Sequence, residues 1–219
     1  MHKQTTWLVV GSTALVIFLI LMGGVLTDAA WLQLFDTHFQ TLLAHFDSAN
    51  RTFTLKEVSL LGSPAVNLAI AAALTGCCWM IHDRFNAIWI ICAEVGANGI
   101  AFVAKELVRR PRPTGQLVPD TGFSFPSGHT ISTATLVLIV IFVLVPYFKD
   151  QEAQLAISLL SVIWLAVIAF ARVYLRDHYP SDVIGAILLA LVWWEIMRVG
   201  YLYLVAPRLH QPQLEEEVH

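Results

Sequence analysis

The sequence predicts an all-α, polytopic membrane protein of six transmembrane helices, with a further amphipathic helix at the interface. Three observations carry this expectation. The 219-residue chain is 57% hydrophobic and 13% charged, with mean hydropathy +0.68, whereas soluble domains hold about 25% charged and ~45–50% apolar residues. Six runs with few or no charges approach the ~20 residues that cross a bilayer core. Six crossings also bring every polar cluster of interest to one membrane face.

The first run, Trp7–Leu26, exceeds the ~7–15 apolar residues of a signal peptide and is expected to be a retained anchor. Trp31–Phe46 follows with Trp31, Leu34, Phe35, Phe39, Leu42, Leu43 and Phe46 on one helical stripe. Asp36, Gln40 and Thr41 lie opposite, the pattern of a helix in the interface or over the mouth of a bundle. The remaining runs are Val58–Ile81, Asn86–Ala104, Thr130–Phe148, Leu155–Ala171 and Val183–Ala206. Glu94 lies in the third run, and Glu195 and Arg198 in the sixth can pair on one helical face. The whole chain, 1–219, reads as one membrane domain, with a disordered acidic end at 210–219.

The net charge of −3 argues against a nucleic-acid partner. Cys77, Cys78 and Cys92 sit in apolar segments without metal-ligand spacing, so they read as small fillers, and no metal or other cofactor is expected. His2, His38, His45, His82, His210 and His219 lack any partner pattern.

Six crossings put both termini on one side and segments 27–57, 105–127 and 172–182 on the other. That second side holds "KELVRRPRP" (Lys105–Pro113), "PSGH" (Pro126–His129) and most of "ARVYLRDHYPSD" (Ala171–Asp182). It carries eight cations against four, but setting aside Lys105, Arg112 and Arg172 as a functional group leaves five, so charge does not choose the face.

Lys105, Arg112 and Arg172 all fall where spans meet this surface. Ser127 and Gly128 open the fourth span, where free backbone N–H groups and the helix dipole favour an anion and glycine permits close approach. Phosphate fits, because arginine grips it bidentately. His178 precedes Asp182 by four residues, so the carboxylate can hold Nδ1–H and leave the Nε2 lone pair outward. Pro180 suits the first turn of the helix carrying Asp182. His129 adds a second imidazole beside the anion-binding turn. Glu94, eleven residues before Lys105, shares a helix face with it and with Asn98. It reads as a structural glutamate or as a more distant partner of the site.

In these segments the sequence resembles the type-2 phosphatidic acid phosphatase superfamily, the lipid phosphate phosphatases. That family's signature is K-x6-RP, PSGH and SR-x5-H-x3-D. Here the first part is Lys105 to Arg112–Pro113, the second Pro126–His129, and the third Arg172, His178 and Asp182. Ala171 stands where the family has serine. The resemblance implies that His178 attacks phosphorus and becomes a phosphohistidine, oriented by Asp182. It implies that His129 protonates the leaving oxygen and then activates water. Lys105, Arg112, Ser127, Gly128 and Arg172 would bind the phosphate, so a metal would be unnecessary. Bacterial-sized members act on undecaprenyl diphosphate, phosphatidylglycerophosphate or phosphatidic acid, usually at the outer face of the cell membrane. The expected partners are thus a lipid phosphate and the bilayer. Two alternatives stay open: a phosphotransferase using the same intermediate, and a transporter that only grips the headgroup.

Overall fold

The computed structural model describes residues 2–205, built of helices and connecting loops with no strand among them. The expectations for 210–219 lie outside the described residues. The helices are α1 (His2–Leu26), α2 (Ala30–Ala44), α3 (Ala49–Leu61), α4 (Pro64–Met80), α5 (Arg84–Val108), α6 (Gly128–Ile139), α7 (Gln151–Tyr174) and α8 (Pro180–Gly200). Six stretches are long and apolar enough to span a membrane, with α3 and α4 together forming the second.

Local chemistry sets most of the helix starts. Ser63, Asp83, Ser127 and Asp150 act as N-caps through their side chains, and Pro64 and Pro180 occupy first turns where no N–H is needed. α5 stops at Arg109, which adopts a left-handed backbone with φ of 51°. α6 widens into a π-helical turn at Val140–Leu144 and a 3-10 turn at Val145–Tyr147. Pro146, which lacks an N–H and crowds the preceding turn, accounts for that departure from α geometry.

One expected boundary is corrected. The second spanning stretch begins at Ala49, not at Val58, and it is broken: Val58–Leu61 ends α3, and α4 starts at Pro64. The chain turns at Gly62 and Ser63 before α4. Gly62 is required there, since a Cβ would lie 2.4 Å from Cδ1 of Ile168 on α7. Asn67 and Thr133 hydrogen-bond each other and the Gly62 carbonyl, which satisfies the groups exposed by the break.

α8 lies at the centre, against α1, α6 and α5, while α4 packs along α5. Small residues Ala93, Ala97, Ala101, Ala186 and Ala190 are buried in these contacts and let the backbones approach. Leu155, Leu159, Leu160 and Ile163 on α7 are exposed, as are Val95 and Phe102 on α5. A lipid-facing surface has that character, so close packing and not apolar burial holds the bundle together. Phe125, fully buried, presses on Gly185 of α8 so tightly that a Cβ there would come within 2.7 Å of its ring. This contact seats the turn before α6 against α8.

α2 is amphipathic as expected, and one residue of its polar side, Asp36, is buried while Thr41 is exposed. Trp31, Leu34, Phe39, Leu42 and Phe46 are exposed, while Leu32 and Asp36, one turn apart, are buried against the bundle. The Tyr174 hydroxyl of α7 donates to the Phe46 carbonyl and accepts from Ser48 N–H, fixing the turn between α2 and α3. Asp36 is 1% exposed, held by a half-buried arginine described below.

Candidate active site

All three polar segments converge at one end of the bundle. Backbone bonds join them: Ser127 N–H donates to the Asp182 carbonyl, Ser124 N–H to Arg110, and Leu117 N–H to Leu175. The turn before α6 is thereby tied to the start of α8, and the loop after α5 to the turn after α7.

His178 lies in the turn before α8, not inside the helix, and is 1% exposed. Asp182 is the third residue of α8, and its Oδ2 accepts from Tyr179 N–H at 2.8 Å. That oxygen is 3.5 Å from His178 Nδ1, which has no hydrogen-bond partner at this distance. Arg112 Nη1 lies 3.3 Å from His178 Nε2. Because a guanidinium can only donate, Nε2 must be the acceptor and the ring proton sits on Nδ1, facing Asp182. Burial and the charges of Arg172, Lys105 and Arg112 hold the His178 pKa well below the usual histidine range, which keeps the imidazole neutral.

The cations line the space before Nε2. Arg172, at the end of α7 and 5% exposed, pairs through Nη2 with Asp120 at 2.6 Å and through Nη1 with Asp177 at 3.0 Å. It also donates to Ser59 Oγ of α3, while its buried Nε has no acceptor. Arg112 is fixed by the carbonyls of Thr121, Gly122 and Asp177. Lys105 Nζ, one turn before the end of α5, donates to the Phe123 carbonyl at 2.7 Å. A Cβ on Gly128 would meet nothing nearer than Pro64 Cγ at 3.9 Å and Lys105 Cε at 4.0 Å, so the α6 N-terminus has room for an anion beside the lysine. Ser127 Oγ accepts from Thr130 N–H and from the Thr130 hydroxyl, leaving its own O–H to donate. His129 is half-buried and within electrostatic reach of His178, Arg172, Arg112 and Asp120.

Glu94 and Asn98 are not drawn into this group. Glu94 bonds Asn98 and Ser132, and its position eleven residues before Lys105 sets it about 16 Å along α5. A straight helix cannot bring the two together.

Four residues missed in the sequence belong to the site. Asp120 Oδ2 bridges Arg172 at 2.6 Å and Arg112 at 3.0 Å. Burial opposes ionisation of Asp120, but the two guanidiniums prevail and hold its carboxyl below the usual range. Asp177, 1% exposed, is pushed up to about 6 by burial despite its pairing with Arg172. Arg110 and Asp36 stand behind Asp182, with Arg110 Nη1 at 2.6 Å from Asp182 and Nη2 at 2.6 Å from Asp36. Their trace in the sequence is an acidic residue on the polar face of an amphipathic helix and a further cation two residues before Arg112.

Asp120 occupies the bridge between guanidiniums that a phosphate would use, so it competes with one. Asp120→Asn should therefore strengthen inhibition by inorganic phosphate or vanadate roughly five- to tenfold, about 1–1.4 kcal/mol. Competitive inhibition constants for the two proteins check this.

A buried His–Asp pair under three cations lies at the end of a six-span helical bundle, so the fold and site define a polytopic membrane protein with a cationic pocket. Residues 64–205 match the PAP2 superfamily, well over half of the chain, and the protein belongs to that family. Two curated relatives are phosphatidylglycerophosphatase B of Bacillus subtilis (strain 168), 31% identical over 99 residues, and its namesake in Haemophilus influenzae (strain ATCC 51907 / DSM 11121 / KW20 / Rd), 40% identical over 86. Those matches cover 44% and 39% of this chain, and 48% and 34% of the relatives' own lengths. The crystal structure of a transmembrane PAP2-type phosphatidylglycerolphosphate phosphatase from Bacillus subtilis superimposes with a TM-score of 0.79. The likeness covers 86% of this chain and 94% of that one at 19% identity, so the fold is shared.

Proposed function

We propose that this protein hydrolyses the terminal phosphate of a membrane lipid phosphate or diphosphate through a phosphohistidine on His178. The observation that carries the reading is the buried His178 imidazole, its Nε2 3.3 Å from Arg112 and its Nδ1 turned to Asp182. In the reaction Nε2 attacks phosphorus in line, forming an N–P bond as the lipid P–O bond breaks. His129 gives its proton to the leaving lipid oxygen, and Asp182 balances the charge gained by the His178 ring. Water then attacks the phosphohistidine, His129 takes its proton, and phosphate leaves as His178 is restored. Lys105, Arg112, Arg172, the Ser127 hydroxyl and the N–H groups at the α6 start hold the phosphoryl oxygens. These fixed charges supply what a divalent ion supplies elsewhere, so the reaction proceeds without metal.

A site at the end of the bundle lets the lipid tail stay in the bilayer while the headgroup meets His178. The relatives' names put phosphatidylglycerophosphate first among substrates, with undecaprenyl diphosphate and phosphatidic acid beside it. The proposed setting is the cell membrane with the site on the outer face, the usual arrangement in the family. The test is phosphate release from these three lipids by detergent-purified protein in EDTA, with His178→Ala as the blank. Release from at least one that vanishes in the variant supports the reading. EDTA-sensitive release overturns the metal-free mechanism. Phosphate appearing on a second lipid instead of in solution identifies a transferase, and transport unaffected by loss of both histidines identifies a transporter.

The acid limb of activity follows from the depressed His178 pKa. Attack needs the neutral ring, so kcat/KM is retained below pH 6.5 and lost only as pH falls through the lowered value. A pH–rate profile between about 4 and 8 checks this; an acid limb at or above the ordinary histidine pKa of ~6.5 contradicts it.

A further inference from the structure

Behind the nucleophile runs a row of alternating charges that the chemistry above does not use. Asp182 is wholly buried, and Tyr179 N–H alone would satisfy its carboxylate poorly. Arg110 supplies the second partner, then continues through Nη2 to Asp36 of α2. Asp36 in turn accepts from Ser181 N–H at 2.9 Å and the Ser181 hydroxyl at 2.7 Å, beside Asp182. The guanidinium lies 3.9 Å from the centre of the Tyr179 ring, the residue after His178. Burial would weaken the Arg110 charge, but Asp182 and Asp36 outweigh it and raise its pKa. Two carboxylates and one guanidinium leave one net negative charge behind His178, facing the cationic cradle on its other side.

We infer that Arg110 and Asp36 are positioning residues for the nucleophile, joining Asp182 to the surface helix α2 so that the seating of α2 sets the orientation of His178. This rests on His178 being the attacking group. Holding two helices together needs no buried charges, and neutral groups would do it with less desolvation. A charged relay does something further: Asp182 is held in place and ionised while His178 becomes a cation. Arg110 meets Oδ1 of Asp182 while His178 faces Oδ2, so the arginine is bound to the carboxylate and not to the nucleophile.

The test uses the full chain in nanodiscs, with Asp36→Asn and Arg110→Gln beside wild type and His178→Ala. Two readouts are taken: kcat and KM on the lipid that wild type hydrolyses, and the His178 ring nitrogens by histidine-labelled NMR against pH. The groups facing His178 are Lys105 on α5, Arg112 and Asp120 in the following loop, His129 on α6, Arg172 on α7, and neighbouring Asp177 and Asp182; all are unchanged in both variants. Removing the Arg110 charge leaves Asp182 uncompensated, so the His178 midpoint rises. Removing the Asp36 charge gives Arg110 wholly to Asp182, so the midpoint falls. With these opposite shifts, kcat should drop on the order of tenfold to a hundredfold while KM stays within about twofold. Midpoints that do not move, or that move in the same direction, overturn the inference, as does a loss confined to KM or to thermal stability. If wild type hydrolyses none of the lipids, the hydrolase reading falls, and the NMR midpoints still decide the positioning role.

Discussion

His178→Ala should reduce phosphate release to background, a loss on the order of 10⁴-fold or more, while the folded protein survives. The prediction is large because no neighbouring group can take over. Arg112, Arg172 and Lys105 are cations held by carbonyls and carboxylates. His129 is on α6, and the mechanism uses it for proton transfer. The removed ring makes no stabilising side-chain hydrogen bond beyond the Arg112 contact, and its Nδ1 is unpartnered. The fold should thus tolerate the substitution. Brief incubation with ³²P-labelled lipid and an alkaline quench, which preserves phosphohistidine, should trap label on wild type and none on the variant. His129→Ala should form the labelled intermediate slowly from the same lipid, because its leaving oxygen then departs unprotonated. Label persisting in His178→Ala would remove this residue from the mechanism.

Arg172→Met should cost both binding and stability. The side chain joins α7 to Ser59 of α3 and to Asp177 and Asp120 in two loops. Its loss leaves Asp177 a buried charge without its partner, a situation that destabilises by about 3–5 kcal/mol. The pH dependence has a definite sign. The Asp177 pKa is raised to about 6 by burial, above the unfolded value of ~3.9. Its contribution to stability is therefore full below the unfolded value and lost as pH rises through about 6. Removing Arg172 raises that pKa further, so the variant should be most impaired near neutral pH and recover toward pH 5. Melting temperatures in detergent at the two pH values measure this, and vanadate inhibition should disappear in parallel. Arg172→Lys, which keeps charge but not the forked geometry, should fall between the two. Equal destabilisation at both pH values would mean that the ion pair with Asp177 is not the cause.

The sequence by itself determined the crossings, because each is a local property: enough consecutive apolar residues to match the bilayer, bounded by caps and prolines. It also determined which segments face the same side, since crossings alternate. Motif spacing was enough to name His178, Asp182, His129 and the three cations as a group, and the structure brings them to one place. What tertiary structure alone decided is the pairing of charges across elements. Asp36 reads as one of several polar residues opposite the apolar stripe of an amphipathic helix until Arg110, seventy-four residues later, is seen to hold it. The two arginines of "RRPRP" that the structure separates by role, Arg110 toward Asp182 and Arg112 toward His178 Nε2, are chemically alike in the sequence. Asp120 becomes a competitor for phosphate only because its loop folds back over Arg172. The helix break at Gly62 likewise depends on the Ile168 side chain of another helix. Hydropathy and capping act over a few residues and survive in a linear reading. A Coulombic partner or a close packing contact acts through space, so it is legible only once the bundle has formed.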